Sequence, residues 1–296
     1  MVQQRLRLFV FRLVFVWGGV LGFLWVSPVS AGPWSQAPGH FYTKLGQGIM
    51  FGRESVGPNG ELGGGNFFGT STQFYGELGI FYGLQIQAFV PFSLLRLSRG
   101  PDDFFQLTSF QDSIVGLQWT PPFLAEALGF PIALRFNVKV PLYDQQPLLD
   151  NPQTRAVIGR LPILGEGQLD FTTWLSAGGG IPKTALYLFG EVGYRVRSDI
   201  FVDQRLRDLG LEFLDTLMFN FQVGYNFFNR LVVMLNVNGA IPLGEDRITK
   251  GFVNLGIGFY LRLWKGLALE LNVDQMVWYR AAPPVTSFAL GVSYKF

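Results

Sequence analysis

Large apolar residues recur at every second position through most of the chain from residue 40 onward. Leu84, Ile86, Ala88 and Val90 alternate with Gln85, Gln87 and Phe89, and Ile132, Leu134, Phe136, Val138 and Val140 oppose Ala133, Arg135, Asn137 and Lys139. Leu231, Val233, Leu235 and Val237 oppose Asn236 and Asn238, and in residues 267–274 the odd positions are apolar while Glu270, Asn272 and Asp274 share the other side. A period of two is that of an extended strand, whose successive side chains point to opposite faces. The pattern predicts about twelve strands, over residues 40–51, 68–79, 82–92, 110–120, 131–142, 168–178, 185–197, 213–227, 230–241, 250–263, 267–279 and 286–296. Most approach or exceed the roughly 9–11 residues that a tilted strand needs to cross a bilayer.

The connections sort by parity. Those after the second, eighth and tenth strands are short: Ile80-Phe81, Phe228-Asn229 and Trp264-Lys265-Gly266. The sixth is a Gly-Gly-Ile-Pro-Lys turn, and the fourth, residues 121–130, is longer. Most of the long connections are odd-numbered, over residues 52–67, 93–109, 143–167 and 198–212, with only the last two odd ones short. Short turns at one end and long loops at the other are the habit of a transmembrane antiparallel up-and-down β-barrel, the predicted fold class; a β-sandwich has no reason to sort its loops this way.

The last nine residues sharpen that expectation. Phe288, Leu290, Val292, Tyr294 and Phe296 form one apolar row separated by small or polar residues, and the chain ends on Phe296. This row resembles the terminal strand by which bacterial outer-membrane barrels are marked for assembly. As the last of an even number of strands, it predicts both chain ends on the periplasmic side. Aromatics gather at proposed strand ends, among them Trp119, Phe227, Phe228, Trp264 and Phe296 at one side and Phe51, Phe92, Tyr143 and Trp278 at the other, where amphipathic rings favour a membrane–water boundary.

The N-terminus agrees. Arg5, Arg7 and Arg12 precede an apolar stretch over residues 13–26 and then Val29-Ser30-Ala31, which predicts a secretory signal peptide over residues 1–31 and a mature barrel over residues 32–296. Arg12 cuts the apolar run below the roughly 20 residues of a spanning helix. With no cysteine the chain has no lipoprotein anchor, disulfide framework or cysteine-based zinc site. The chain is 49% hydrophobic and 15% charged, against about 25% charged in ordinary soluble domains. Low charge without a long apolar run suits strands that meet lipid on one face, and it predicts location in the bacterial outer membrane with its lipids and barrel-assembly machinery as partners. Losing the three signal-peptide arginines leaves 20 − 21 = −1, so nothing basic remains to recommend nucleic acid.

An apolar-out, polar-in barrel directs a definable set of charges inward. The bases are Lys44, Arg135, Lys139, Arg195, Arg197, Arg262 and Lys295; the acids are Glu77, Asp112, Asp170, Glu191, Glu270 and Asp274. A charge-selective pore carries rings of one sign, so this balance predicts ion pairs across the interior and weak charge selectivity. Glu191, Arg195 and Arg197 share one face of one strand and are the densest candidate constriction. The connection 143–167 is apolar at Pro147, Leu148, Leu149, Ile163 and Leu164, and could turn inward or meet neighbouring loops and lipid.

Enzyme chemistry finds little support. The only histidine, His40, begins the first strand, and no His–Ser arrangement accompanies it for nucleophilic catalysis; it reads as an interface residue. Gly63-Gly64-Gly65 and Gly178-Gly179-Gly180 lack the Lys-Ser/Thr of a phosphate loop and read as a loop and a turn. No cluster of metal ligands or cofactor motif is present in the sequence, so no cofactor is expected.

Several segments resemble the family of outer-membrane proteins associated with the meta-cleavage pathway of phenol degradation and described as transporters. They are residues 74–80 with Gly83-Leu84, residues 112–119, Asn137 to Leu142, Gly165 to Asp170, and Glu191 to Arg197. The resemblance covers residues 40–296 and lies in strand and turn patterns with a few polar positions. It implies a barrel that helps small, often hydrophobic, molecules cross the outer membrane. With the inward charges, the expectation is a monomeric channel for small, hydrophobic or aromatic, solutes through a narrow polar lumen. The other reading is a barrel that transports nothing and acts through its external loops.

Overall fold

The alternating segments form strands in the computed structural model, which describes residues 33–56, 61–98, 104–143, 167–198, 200, 213–244, 249–280, 282 and 284–296. The signal-peptide assignment and the apolar core of the 143–167 connection lie outside the described residues. The strands are β1 (Phe41–Val56), β2 (Glu61–Phe81), β3 (Leu84–Ser98), β4 (Phe104–Phe110), β5 (Asp112–Trp119), β6 (Ile132–Pro141), β7 (Asp170–Gly180), β8 (Leu186–Arg197), β9 (Thr216–Phe227), β10 (Leu231–Pro242), β11 (Gly251–Trp264), β12 (Leu267–Arg280) and β13 (Val285–Lys295). One short helix, α1 (Pro122–Leu128), lies between β5 and β6.

β4 and β5 are two halves of one spanning strand. β4 pairs with Phe92–Ser98 of β3 and β5 with Leu84–Phe89 of the same strand. Between them, Gln111, Asp112 and Ser113 lie opposite only Val90 and Pro91, because Phe110 pairs with Phe92 and Ile114 with Phe89. This is a β-bulge, placed where Pro91 has no N–H to give the ladder. The Gln111 N–H still reaches the Pro91 carbonyl at 2.9 Å. The thirteen segments therefore make twelve antiparallel spanning strands.

The sheet closes on itself. β13 pairs with β12 on one side and with β1 on the other, from Tyr42↔Lys295 to Gly52↔Val285. Closure leaves no unpaired strand edge, the condition for a sheet inside hydrocarbon. Phe296 seals the seam: its N–H donates to the Phe41 carbonyl at 2.9 Å, its ring stacks on Phe41 at 5.3 Å, and its carbonyl lies 2.9 Å from His40 Nδ1. The single histidine thus sits at the joint between the chain's two ends.

Three connections at the periplasmic end are two-residue turns with positive φ at both central residues: Tyr82-Gly83 (31° and 79°), Phe228-Asn229 (54° and 56°) and Lys265-Gly266 (31° and 87°). Such turns match the twist of paired strands. The first lies two residues beyond its expected place at Ile80-Phe81, because β2 continues to Phe81 and Gly83 takes the left-handed conformation.

Other expectations also shift. Two of the proposed long loops, 52–67 and 93–109, are largely strand, since β1, β2, β3 and β4 all extend into them. Gly63-Gly64-Gly65 is part of β2, not a loop. Arg53 pairs with Asn66 and Ser55 with Leu62, so these three glycines face a single residue of β1 in a bulge, where glycine tolerates the irregular backbone. Gly178-Gly179-Gly180 likewise ends β7, paired with Phe189, Leu188 and Tyr187, and the turn follows it. The helix α1 was not foreseen; seven residues are too few for a clear helical period.

The two faces part cleanly over most of the wall. Phe74, Leu78, Ile86, Val115, Leu134, Leu175, Leu235 and Leu255 all point outward and are exposed, Leu235 by 62%. In β13 the row Phe288, Leu290, Val292, Tyr294 faces out, while Ala289, Gly291 and Ser293 are buried. A belt of exposed aliphatic and aromatic side chains around a polar interior is the inverse of a water-soluble barrel.

Candidate functional site: the barrel lumen

Inward side chains on neighbouring strands stand close enough to pair along the wall, and they do so in three groups. On the β12–β13–β1 side, Lys44 Nζ meets Glu270 Oε2 at 2.5 Å, and Tyr42 donates its hydroxyl to Glu270 Oε1 at 2.6 Å. On the β6–β9 side, Arg135 pairs with Glu191 at 2.7 Å, and Asn220 Nδ2 donates to the other Glu191 oxygen at 3.2 Å. The Arg135 guanidinium also lies over the Trp174 ring, 5.0 Å from its centroid. Nearer the extracellular end, Lys139 reaches both Asp112 (3.1 Å) and Asp170 (2.7 Å), and Arg197 reaches Asp170 at 3.0 Å.

These pairs link strands one or two apart. They do not cross the lumen, contrary to the expectation from charge balance. Adjacent strands lie about 4.8 Å apart, so a wall partner is always nearer than one on the far side of a twelve-strand ring. The charges are still satisfied pairwise: at below 10% side-chain exposure, each would be costly alone.

Most of the expected lumen charges are buried in the interior, while Arg262 and Lys295 are exposed at the ends of their strands, and the buried ones do not converge. Glu191 and Arg197 are six residues apart on β8, about 20 Å along the strand. Glu191 belongs to the Arg135 pair, Arg195 donates to Thr172 Oγ1 at 3.3 Å, and Arg197 belongs to the Asp170 group. The group therefore lines one wall at three levels and forms no ring. Glu77 is held by Tyr75 and by Gln36, and Asp274 accepts from Asn236 Nδ2 at 3.0 Å. Arg262 is exposed near the periplasmic mouth.

The interior is not polar throughout. Toward the extracellular end, the inward rows of β1–β3 and β9–β13 turn apolar: Met50, Phe67, Leu95, Leu97, Met218, Phe252, Met276 and Val285 are buried and packed together. The same level on β6–β8 carries Lys139, Asp170, Arg195 and Arg197. The outer half of the lumen thus has one apolar wall and one charged wall. A trace of this was in the sequence, since Leu94-Leu95 and Phe252-Val253 are apolar on both faces.

The segment before β1 was not foreseen as part of the site. Pro33 and Gln36 are buried. The Pro33 carbonyl accepts from the Thr120 hydroxyl at 2.8 Å, the Gln36 N–H donates to Gln85 Oε1 at 2.8 Å, and Gln36 Nε2 donates to Glu77 Oε2 at 2.8 Å. These anchors lie on or just after β2, β3 and β5. Trp34, between them, lines a cavity together with residues of β8 to β11. In the ring order those strands lie opposite. The segment is therefore pinned to the β2–β5 wall at the periplasmic mouth, and Trp34 reaches from it into the cavity beside β8–β11. The cavity beside it has a volume of about 860 Å³ and is walled by Tyr187, Phe189, Met234 and Tyr260.

A closed twelve-strand sheet, an apolar belt outside and paired polar groups inside define a transmembrane β-barrel of the bacterial outer membrane. No family model matches the chain, and no curated protein does. Among solved structures, an outer membrane channel from Pseudomonas putida F1 superposes with a TM-score of 0.66 at 11% identity, over 90% of this chain and 100% of that one. The KdgM porin and the NanC porin each superpose with a TM-score of 0.50 at 8% identity, over 86% of this chain and at least 99% of theirs. At these identities the likeness is one of fold.

Proposed function

We propose that this protein is an outer-membrane channel that passes small solutes, hydrophobic or aromatic ones among them, through a narrow lumen. The observation that carries the reading is the amphipathic interior. An apolar wall faces a charged wall in the outer half, and a cavity with aromatic sides opens at the periplasmic mouth. A solute with an apolar body and a polar group finds matching surface at both ends. The sequence resemblance to the phenol-degradation outer-membrane family and the fold shared with a Pseudomonas putida channel support the same reading.

The test is conductance of the purified, folded protein in planar bilayers, with uptake of phenol by proteoliposomes alongside. Small discrete openings in KCl and phenol entry above that of empty liposomes are expected. Absence of both would overturn the channel reading in favour of a barrel that acts through its external loops.

A further inference from the structure

The periplasmic cavity has the construction of a ligand site. Its volume of about 860 Å³ lies within the range of small-molecule pockets, roughly 300–1,000 Å³. Its aromatic surface comes from Trp34, Tyr187, Phe189 and Tyr260. The wall is held in place. The Tyr187 hydroxyl donates to Gln222 Oε1 at 2.9 Å, and Gln222 Nε2 lies 3.0 Å from the Met234 sulfur. The Tyr187 ring is packed against Gly224, where an added Cβ would come within 1.9 Å of Tyr187 Cε1. A ring fixed in this way offers a face to a ligand without first losing rotamer freedom.

The electrostatics of the cavity are one-sided. Arg262 and Lys183 line it, and no aspartate or glutamate does. Neither cation joins an ion pair among the described residues, unlike Lys44, Arg135, Lys139 and Arg197 elsewhere in the lumen. Arg262 Nη1 makes one long contact, 3.4 Å to the Asn229 carbonyl, and the guanidinium also hydrogen-bonds the Tyr260 hydroxyl beside it. The guanidinium's remaining N–H donors face no carboxylate of the cavity wall, and an incoming carboxylate fits their fork geometry.

We infer that this cavity binds small aromatic carboxylates, with Arg262 and Lys183 holding the carboxylate and Trp34, Tyr187, Phe189 and Tyr260 enclosing the ring. The inference rests on the channel reading and narrows it to a class of solute. Because Trp34 belongs to the segment before β1, a bound ring touches that segment as well as the wall.

Calorimetric titration of the folded barrel in detergent with benzoate, benzamide and acetate tests it. Benzoate is expected to bind saturably at one site, and its neutral isostere benzamide and the ringless acetate at least about tenfold more weakly. The Arg262→Gln/Lys183→Gln variant is expected to lose benzoate affinity by at least about tenfold, with Lys265→Gln, outside the cavity, binding as the parent does. Heat-modifiable gel migration establishes that each variant is folded, and a double variant that fails it is replaced by Arg262→Gln alone. Absence of saturable benzoate binding, equal binding of benzamide or acetate, or unchanged affinity in the charge variant would overturn the inference. KCl conductance of the same preparation separates the two readings. A conducting barrel indifferent to benzoate removes the aromatic-carboxylate site and leaves the channel; a benzoate-binding barrel with neither conductance nor phenol uptake keeps the site and removes the channel.

Discussion

At the scale of single residues, the lumen is governed by the cost of burying charge. Glu270 is almost wholly enclosed and depends on Lys44 and Tyr42 for its partners. Lys44→Ala strands that carboxylate, and removing one member of a buried pair costs about 3–5 kcal/mol. Urea unfolding of the refolded protein should show a loss of that order, and the Lys44→Met/Glu270→Leu pair should recover most of it. Gly224→Val tests a different residue-scale constraint. Its side chain would displace Tyr187 into the cavity, so benzoate affinity should fall while the barrel still forms. These pairings were only half legible in the chain. The period of two identifies which charges face inward, but partner choice depends on register: Arg135 meets Glu191 because β6 and β8 flank β7 with Ala133 opposite Ser176 and Ser176 opposite Glu191.

At the scale of elements, two terminal segments carry separate duties. The β13 row and Phe296 close the barrel against β1. Deletion of Phe296 removes the stack on Phe41 and the last N–H of the seam, and the fraction of protein recovered from outer membranes in heat-modifiable form should fall. The segment before β1 obstructs the periplasmic mouth, with its anchors at Thr120, Gln85 and Glu77. A variant lacking residues 33–36 should assemble and show larger single-channel conductance than the parent in KCl. An unchanged conductance would mean that the narrowest point lies elsewhere. The strands were readable because each presents one face to lipid. The segment before β1 was not, because a few residues with one tryptophan have no periodicity to read.

At the scale of the whole molecule, closure sets the behaviour. A closed antiparallel sheet has no edge at which to begin local unfolding, so the unboiled protein should migrate on a gel apart from the boiled one; identical migration would contradict a closed barrel. Strand number, the direction of the apolar belt and the parity of tight turns were all determined by the sequence alone, because a sheet in hydrocarbon must alternate apolar and polar faces and must pair every backbone group. The interior was decided only by the tertiary structure. Whether balanced charges cross the lumen or pair along the wall, where the inward rows turn apolar, and how Trp34 comes to face Tyr187 from the far side all depend on which strands become neighbours. That is a property of the closed ring and its register, and no single strand contains it.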